Sequence, residues 1–297
     1  MTDRFKHRHW RLIDVLQEAA AYLESKQIEH PRHNAERLLA HVLNVSRVDL
    51  YLQFEKPLQT EERDAYKQLL RRRAGREPLQ TILGETEFMS LPFRITGDVL
   101  IPRPETEILV EKTIEIVETH FPNESCVQIL DIGTGSGCIA VSLANHLKNT
   151  RITAIDHHPA ALHLAMKNAE RNGVQDRIEF VNLDIMKSPA MPGQTGFDLI
   201  VSNPPYIRTG DLDTLAPEIR DHEPLEALDG GKDGLRYYRR FRDILPGWLN
   251  HPGYILLEIG ADQADCVQQI FGSKNWASID ILQDLAGLNR VLVLTKP

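Results

Sequence analysis

The segment 203-NPPY-206 places a carboxamide, two residues of fixed φ and a phenol directly after an apolar run, 197-FDLIVS-202. Proline locks φ and carries no N–H, so Pro204 and Pro205 leave carbonyls free to accept hydrogen bonds from a rigid arc. The Asn203 side-chain oxygen and the Pro204 carbonyl can each take one N–H of a planar –NH2 group. Tyr206 adds a flat face with a polar tip. Such a set can orient a conjugated nitrogen, a poor nucleophile whose proton can leave after it has reacted. Taken alone, the same residues can equally be a Pro-Pro loop that ends a strand.

A second cluster lies upstream. In 129-ILDIGTGSGCIAVSLA-144 an apolar strand ends on Asp131, and Gly133, Gly135 and Gly137 open a helix. The glycines permit a tight turn and close approach of a ligand to the backbone. A dinucleotide would need its pyrophosphate at the helix N-terminus, where the neighbouring Asp131 carboxylate would repel it. A ligand with positive charge is the better match. The next strand, 151-RITAID-156, ends on Asp156, placed to accept from both hydroxyls of a ribose. The third ends 181-VNLDI-185, where Asp184 can receive an adenine amino group and Ile185 can pack the ring, or Asp184 can be a plain turn residue. A nucleoside bearing a cation and no phosphate fits these three strand ends, and S-adenosyl-L-methionine is such a ligand. Beside it, the 203–206 arc reads as a site for methyl transfer to an amide-type nitrogen.

Elements that could hold these residues follow from the periodicity. Strands are expected at 127–132, 151–156, 177–182, 197–202, 254–259, 277–282 and 290–295. Helices are expected at 104–119, 137–148, 159–172, 232–250 and 261–272. This alternation predicts an α/β fold with a mostly parallel sheet covered on both faces. The link 284–289 is too short for a parallel crossover, so the last strand should run antiparallel. Residues 1–80 read as helical, with apolar residues at helical spacing in 11–26 and 32–45. A third helix is expected over 60–75, with Thr60 as N-cap. The expected organisation is a helical domain over 1–80, a hairpin or extended linker over 81–103 and the α/β domain over 104–297.

Residues 1–80 hold 15 Lys and Arg against 12 Asp and Glu, and the remainder 19 against 30. An acidic larger domain is a poor platform for a nucleic-acid backbone. Arg71, Arg72 and Arg73 fit either helix-end electrostatics or a partner-binding patch. No apolar run is long enough to span a membrane, no secretory signal is read, and three scattered cysteines suggest a reducing, cytoplasmic setting. No metal site is expected. His157 and His158 read as solvated surface.

The run 83-LGETEFMSLPFRITGDVLIPRPETEILVE-111, with DIGTGSG, SNPPYI and 223-EPLEALDGGKDGL-235, resembles the PrmC/HemK protein-(glutamine-N5) methyltransferases. The resemblance is dense from Leu83 to Pro297. It implies a Rossmann-like class I S-adenosylmethionine-dependent methyltransferase fold: a seven-stranded, mostly parallel sheet with the last strand antiparallel and a small all-helical N-terminal domain. It implies that the loop Gly133, Thr134, Gly135, Ser136 and Gly137, with Asp131, holds the methionine part of the cofactor. Asp156 would bind the ribose, Asp184 or Ile185 would lie at the adenine, and Asn203 to Tyr206 would clamp the glutamine amide of a Gly-Gly-Gln loop. Arg103, Glu105 and Thr106 would border the pocket. The implied partner is a bacterial-type peptide-chain release factor whose body meets the helical domain, with the enzyme a monomer and no direct nucleic acid. NPPY is shared with nucleic-acid adenine-N6 methyltransferases, so that activity is the alternative, together with methylation of glutamine in another protein such as a ribosomal protein. A non-catalytic adenosine-binding module would be expected to lack Asn203 or the Gly loop, and both are present.

Overall fold

The computed structural model describes residues 10–121, 126–188, 196–272 and 276–297. The chain clusters into two units, Met1–Gly84 with Pro217–His222, and Glu85–Ala216 with Glu223–Pro297.

The first unit contains α1 (Leu12–Ser25), α2 (Pro31–Leu43), α3 (Arg47–Leu52), α4 (Thr60–Ala74) and α5 (Leu79–Leu83). Leu12, Leu16, Leu23, Leu38, Leu39 and Tyr66 form its core, and the Tyr66 hydroxyl donates to the Ala35 carbonyl at 2.9 Å. Thr60 is not the cap of α4. Helical geometry starts at Thr60 itself, and the cap is Gln59, whose N–H donates to Glu62 Oε2 at 2.8 Å. The short helices α3 and α5 were not expected. α3 starts from a capping box, with Ser46 Oγ accepting from Asp49 N at 3.2 Å in the S-x-x-D pattern that marks such starts. Within the Arg run only Arg73 is buried. It donates to Asn34 Oδ1 at 2.8 Å and to Glu218 Oε1 at 3.2 Å, while Arg72 pairs with Glu77.

The second unit begins with an antiparallel hairpin, β1 (Glu85–Phe88) and β2 (Leu91–Arg94). There follow α6 (Thr106–His120), β3 (Val127–Ile132), α7 (Cys138–His146), β4 (Thr150–Asp156), α8 (Pro159–Arg171), β5 (Ile178–Asn182) and β6 (Phe197–Ser202). The chain then passes through a helical turn of the first unit, α9 (Pro217–Arg220), and the second unit resumes with α10 (Arg236–Ile244), β7 (Leu249–Glu258), α11 (Ala264–Phe271), β8 (Ser278–Gln283) and β9 (Asn289–Lys296). The sheet order is β5-β4-β3-β6-β7-β9-β8, and β9 runs antiparallel to both neighbours. Alternate strand residues face opposite sides. Ile129, Leu199, Val201 and Leu256 pack with α6 and α7, while Leu130, Ile200, Ile255 and Leu257 pack with Tyr238 and Phe241 of α10 and Val267 of α11.

The helix expected over 232–250 is much shorter. Gly231 and Gly234 take φ of +89° and +75° before it, and Pro246-Gly247 stops it after α10. The chain re-enters the sheet at Leu249, so β7 starts earlier than the apolar run at 254 suggests.

Candidate active site

In this sheet the strand order reverses between β3 and β6, where successive connections leave toward opposite sides. Ligands of open α/β sheets bind at the carboxyl ends of the strands at such a switch point. A cavity of ≈ 470 Å³ lies there, lined by Gly133, Gly135, Asp156, Asp184, Ile185, Asn203, Pro204 and Pro205 among others. Among the described residues its wall also carries Asp98, Glu226 and Asp229 against Lys187 and Arg236. The excess of carboxylates suits a cation better than a phosphate. Val99, Leu100, Ala161, Leu183, Tyr237 and Phe241 supply apolar surface for a ring.

On the β3–β4 side the wall is built largely from backbone. Gly133, Gly135 and Gly137 all have positive φ, from +55° to +82°, the left-handed region that glycine enters without penalty. The turn they form aims the Gly135 N–H at Asp156 Oδ2, 2.9 Å away. Asp156 Oδ1 accepts from His158 N at 2.9 Å. One carboxylate thus ties the ends of β3 and β4 together and keeps its remaining lone pairs at the cavity. Asp184 forms the turn after β5, with Oδ1 accepting from Met186 N at 2.9 Å, and Lys187 holds its carboxyl below the usual range.

Asp131 is not on the wall. It is fully buried behind the loop, where Oδ2 accepts from Thr134 Oγ1 at 2.7 Å. Oδ1 makes no well-formed hydrogen bond, although the Ala140 amide interacts with the same carboxylate. Burial pushes the carboxyl up to about 7, against the pull of Thr134. Thr134, Ser136 and Gly137 likewise stand outside the lining, the two side chains being buried.

On the β6 side the wall is built from side chains. Asn203 Nδ2 donates to Thr106 Oγ1 at 3.1 Å, and Thr106 Oγ1 donates to Glu258 Oε2 at 2.6 Å. Tyr206 does not line the cavity. Its hydroxyl donates to Glu258 Oε1 at 3.3 Å, and its carbonyl accepts from Gln263 Nε2 at 2.9 Å. Behind the arc, Ile207 N donates to the Leu228 carbonyl at 3.0 Å and the Ile207 carbonyl accepts from Gly230 N at 2.8 Å. A Cβ at Gly230 would stand 2.8 Å from the Pro205 oxygen and 2.8 Å from Tyr206 Cα, both backbone. The 223–235 motif is therefore the support of the 203–206 arc. Arg103 and Glu105 are off the cavity wall too. Arg103 pairs with buried Glu223 at 2.6 Å, and Glu223 Oε2 accepts from Ile101 N at 3.3 Å, which joins the two motifs. His157 and His158, read as surface, both line the cavity, and His157 Nε2 lies 3.2 Å from Glu226.

Residues 14–84 match the PrmC N-terminal domain family and residues 109–219 the methyltransferase small domain family. A release factor glutamine methyltransferase of Geobacter sulfurreducens is 43% identical over 95% of this chain and 96% of its own length. That of Chlorobaculum tepidum is 39% identical over 95% and 96%. This chain belongs to the release factor glutamine methyltransferase family. The sheet is also similar to that of the hMettl16 catalytic domain solved with a MAT2A 3′UTR hairpin, at TM-score 0.52 and 18% identity over 74% of this chain and 80% of that one. A methyltransferase from Pyrococcus furiosus reaches 0.50 and 18% over 69% and 89%. These likenesses concern the fold. Within this glutamine methyltransferase, sequence reasoning missed Glu258 and gave Glu223 no role. Glu258 ends an apolar strand as Asp131 and Asp156 do, and that shared pattern was the available signal.

Proposed function

We propose that this protein transfers a methyl group from S-adenosyl-L-methionine to the side-chain nitrogen, N5, of the glutamine in the Gly-Gly-Gln loop of a peptide-chain release factor. The observation that carries the reading is the single cavity that has Gly135 and Asp156 on one side and Asn203 and Pro204 on the other. The carboxylate-rich wall fits a cationic nucleoside. Asp156 would take the ribose hydroxyls, Asp184 and Ile185 the adenine, and the Gly133–Gly137 loop the methionine part.

When bound, S-adenosylmethionine supplies an electrophilic methyl on a sulfonium that departs as a neutral thioether. The protein's part is orientation and charge stabilisation. Asn203 gives Nδ2 to Thr106, which leaves Oδ1 to accept from the glutamine amide. Among the described residues no donor reaches the Pro204 carbonyl oxygen, so it can accept the second N–H. Two acceptors on one nitrogen favour the positive charge that develops there as the N–C bond forms, and the proton leaves afterwards to water. Arg103, Glu105 and Thr106 act from behind this wall rather than on the substrate. The helical unit, over residues 1–80 in the main, would meet the body of the release factor. We place the reaction in the cytoplasm with a monomeric enzyme.

The test is peptide mass spectrometry after incubating the protein with S-adenosylmethionine and an unmodified release factor. One methyl on the glutamine of the Gly-Gly-Gln peptide, absent with Asn203→Ala, is the expected result. No methyl, with cofactor binding intact, would overturn the substrate assignment.

A further inference from the structure

Glu258 lies in the second layer behind the arc, 1% exposed at the end of β7, with Thr106 2% exposed at the start of α6. Resting on the methyl-transfer reading above, we propose that Glu258 is a positioning residue: as a carboxylate it accepts the hydrogen bond that the Thr106 hydroxyl donates and so fixes the Asn203 carboxamide with its oxygen toward the substrate amide.

An ionised carboxylate only accepts hydrogen bonds, and a hydroxyl has one proton to give. Thr106 Oγ1 spends that proton on Glu258 Oε2 at 2.6 Å. Toward Asn203, 3.1 Å away, Thr106 can then only accept. The Asn203 atom facing it must be Nδ2, and Oδ1 must point the other way. The order reverses if Glu258 gains a proton on Oε2. Glu258 then donates to Thr106, Thr106 donates to Asn203, and the carboxamide turns to present Oδ1 inward and –NH2 to the substrate amide. Two –NH2 groups cannot pair, so the clamp is lost. The Tyr206 hydroxyl, donating to Oε1, favours the ionised form and leaves Oε2 as the site of protonation.

The surroundings balance this carboxyl between its two forms. Burial raises it, Thr106 and Tyr206 pull it down, Glu105 before α6 raises it and Arg290 on β9 lowers it, leaving it at about 7. The Arg290 guanidinium is shared with Asp284 at 2.8 Å. Cys138 at the start of α7 and Tyr238 on α10 also feel the Glu258 charge, and the Tyr238 hydroxyl donates to the Glu258 main-chain carbonyl at 2.8 Å.

Two measurements on the full chain test the relay. In protein labelled with 15N-asparagine, the Asn203 side-chain signals, assigned by their loss in Asn203→Ala, should move with pH around a midpoint near 7 and stay fixed in Thr106→Val. This readout needs no substrate, so it judges the relay even if the release factor is not methylated, an outcome that would sink only the functional reading. In the methylation assay, kcat should rise with pH through about 7 in the wild type. Glu258→Gln and Thr106→Val should each lower kcat by about 10–100-fold with KM for S-adenosylmethionine unchanged, and lack that pH limb. Thr106→Ser should retain the rate. The double variant Thr106→Val/Glu258→Gln should be no slower than Thr106→Val, because Glu258 acts through Thr106. Additive losses in the double variant, or a pH limb that survives in Thr106→Val, would overturn the proposal, as would Asn203 signals that do not titrate.

Discussion

The two sides of the cavity are built on different principles. At β3, β4 and β5, glycine backbone and carboxylates already tied to main-chain N–H groups form the wall, and each is held by residues near in sequence or at the next strand end. At β6 the wall is Asn203, Pro204 and Pro205, held by Thr106, Glu258 and Gly230 from distant parts of the chain. A preformed backbone cradle suits a ligand whose shape never varies. A wall of side chains backed by buried hydrogen bonds suits a group that must be aimed at a reacting atom.

Variants on one side should change affinity for the cofactor, and variants on the other should change turnover. The largest effect is expected for Asn203→Ala, which should lower kcat by about 10²–10³-fold with cofactor affinity unchanged in calorimetry. A parallel loss of cofactor affinity would break the division. Next is Gly230→Ala. Its Cβ would collide with the backbone of Pro205 and Tyr206, and a displacement of about 1 Å at the arc should cost on the order of 10²-fold in kcat. Asp156→Ala on the opposite side should raise the cofactor Kd by about 10–100-fold, the worth of a charge-assisted hydrogen bond, while transfer at saturating cofactor is largely kept.

The smallest expected effect is on stability. Burial holds both Asp131 and Glu258 at about 7 in the folded protein, above the usual carboxylate range. The folded state therefore binds these protons more tightly than the unfolded state. Their contribution is complete below the usual carboxylate pKa and is lost as pH rises through about 7. Calorimetry of the cofactor-free protein should show Tm drifting down by about 2–4 °C per kcal/mol lost between pH 5 and 8. Glu258→Gln should flatten part of that drift, and a profile identical to the wild type would show that the carboxyl is not raised.

The same contrast explains what the sequence could reveal. DIGTGSG, Asp156 and NPPY are local signals, each a few residues long at a strand end, and their convergence follows from a parallel sheet. The antiparallel β9 was readable from the short link 284–289. Glu258 carried only the signal of an acidic residue at an apolar strand end, which a solvated strand end shares until α6 is seen to bring Thr106 against it. Asp131 shows the reverse case. The motif gave its importance, but burial placed it behind the loop instead of at the wall. The helix expected over 232–250 failed because a count of helical positions weighed less than Pro246-Gly247 and the returning strand.

The helical unit takes its residues from two places, the N-terminal stretch and Pro217–His222. The second lies between 203-NPPY-206 and the 223–235 support, so buried Arg73 receives Glu218 from inside the catalytic sequence. A module attached only at its end can be exchanged between genes by one recombination. Here removing residues 1–84 would strand 217–222 in the middle of the enzyme without the residues it packs with.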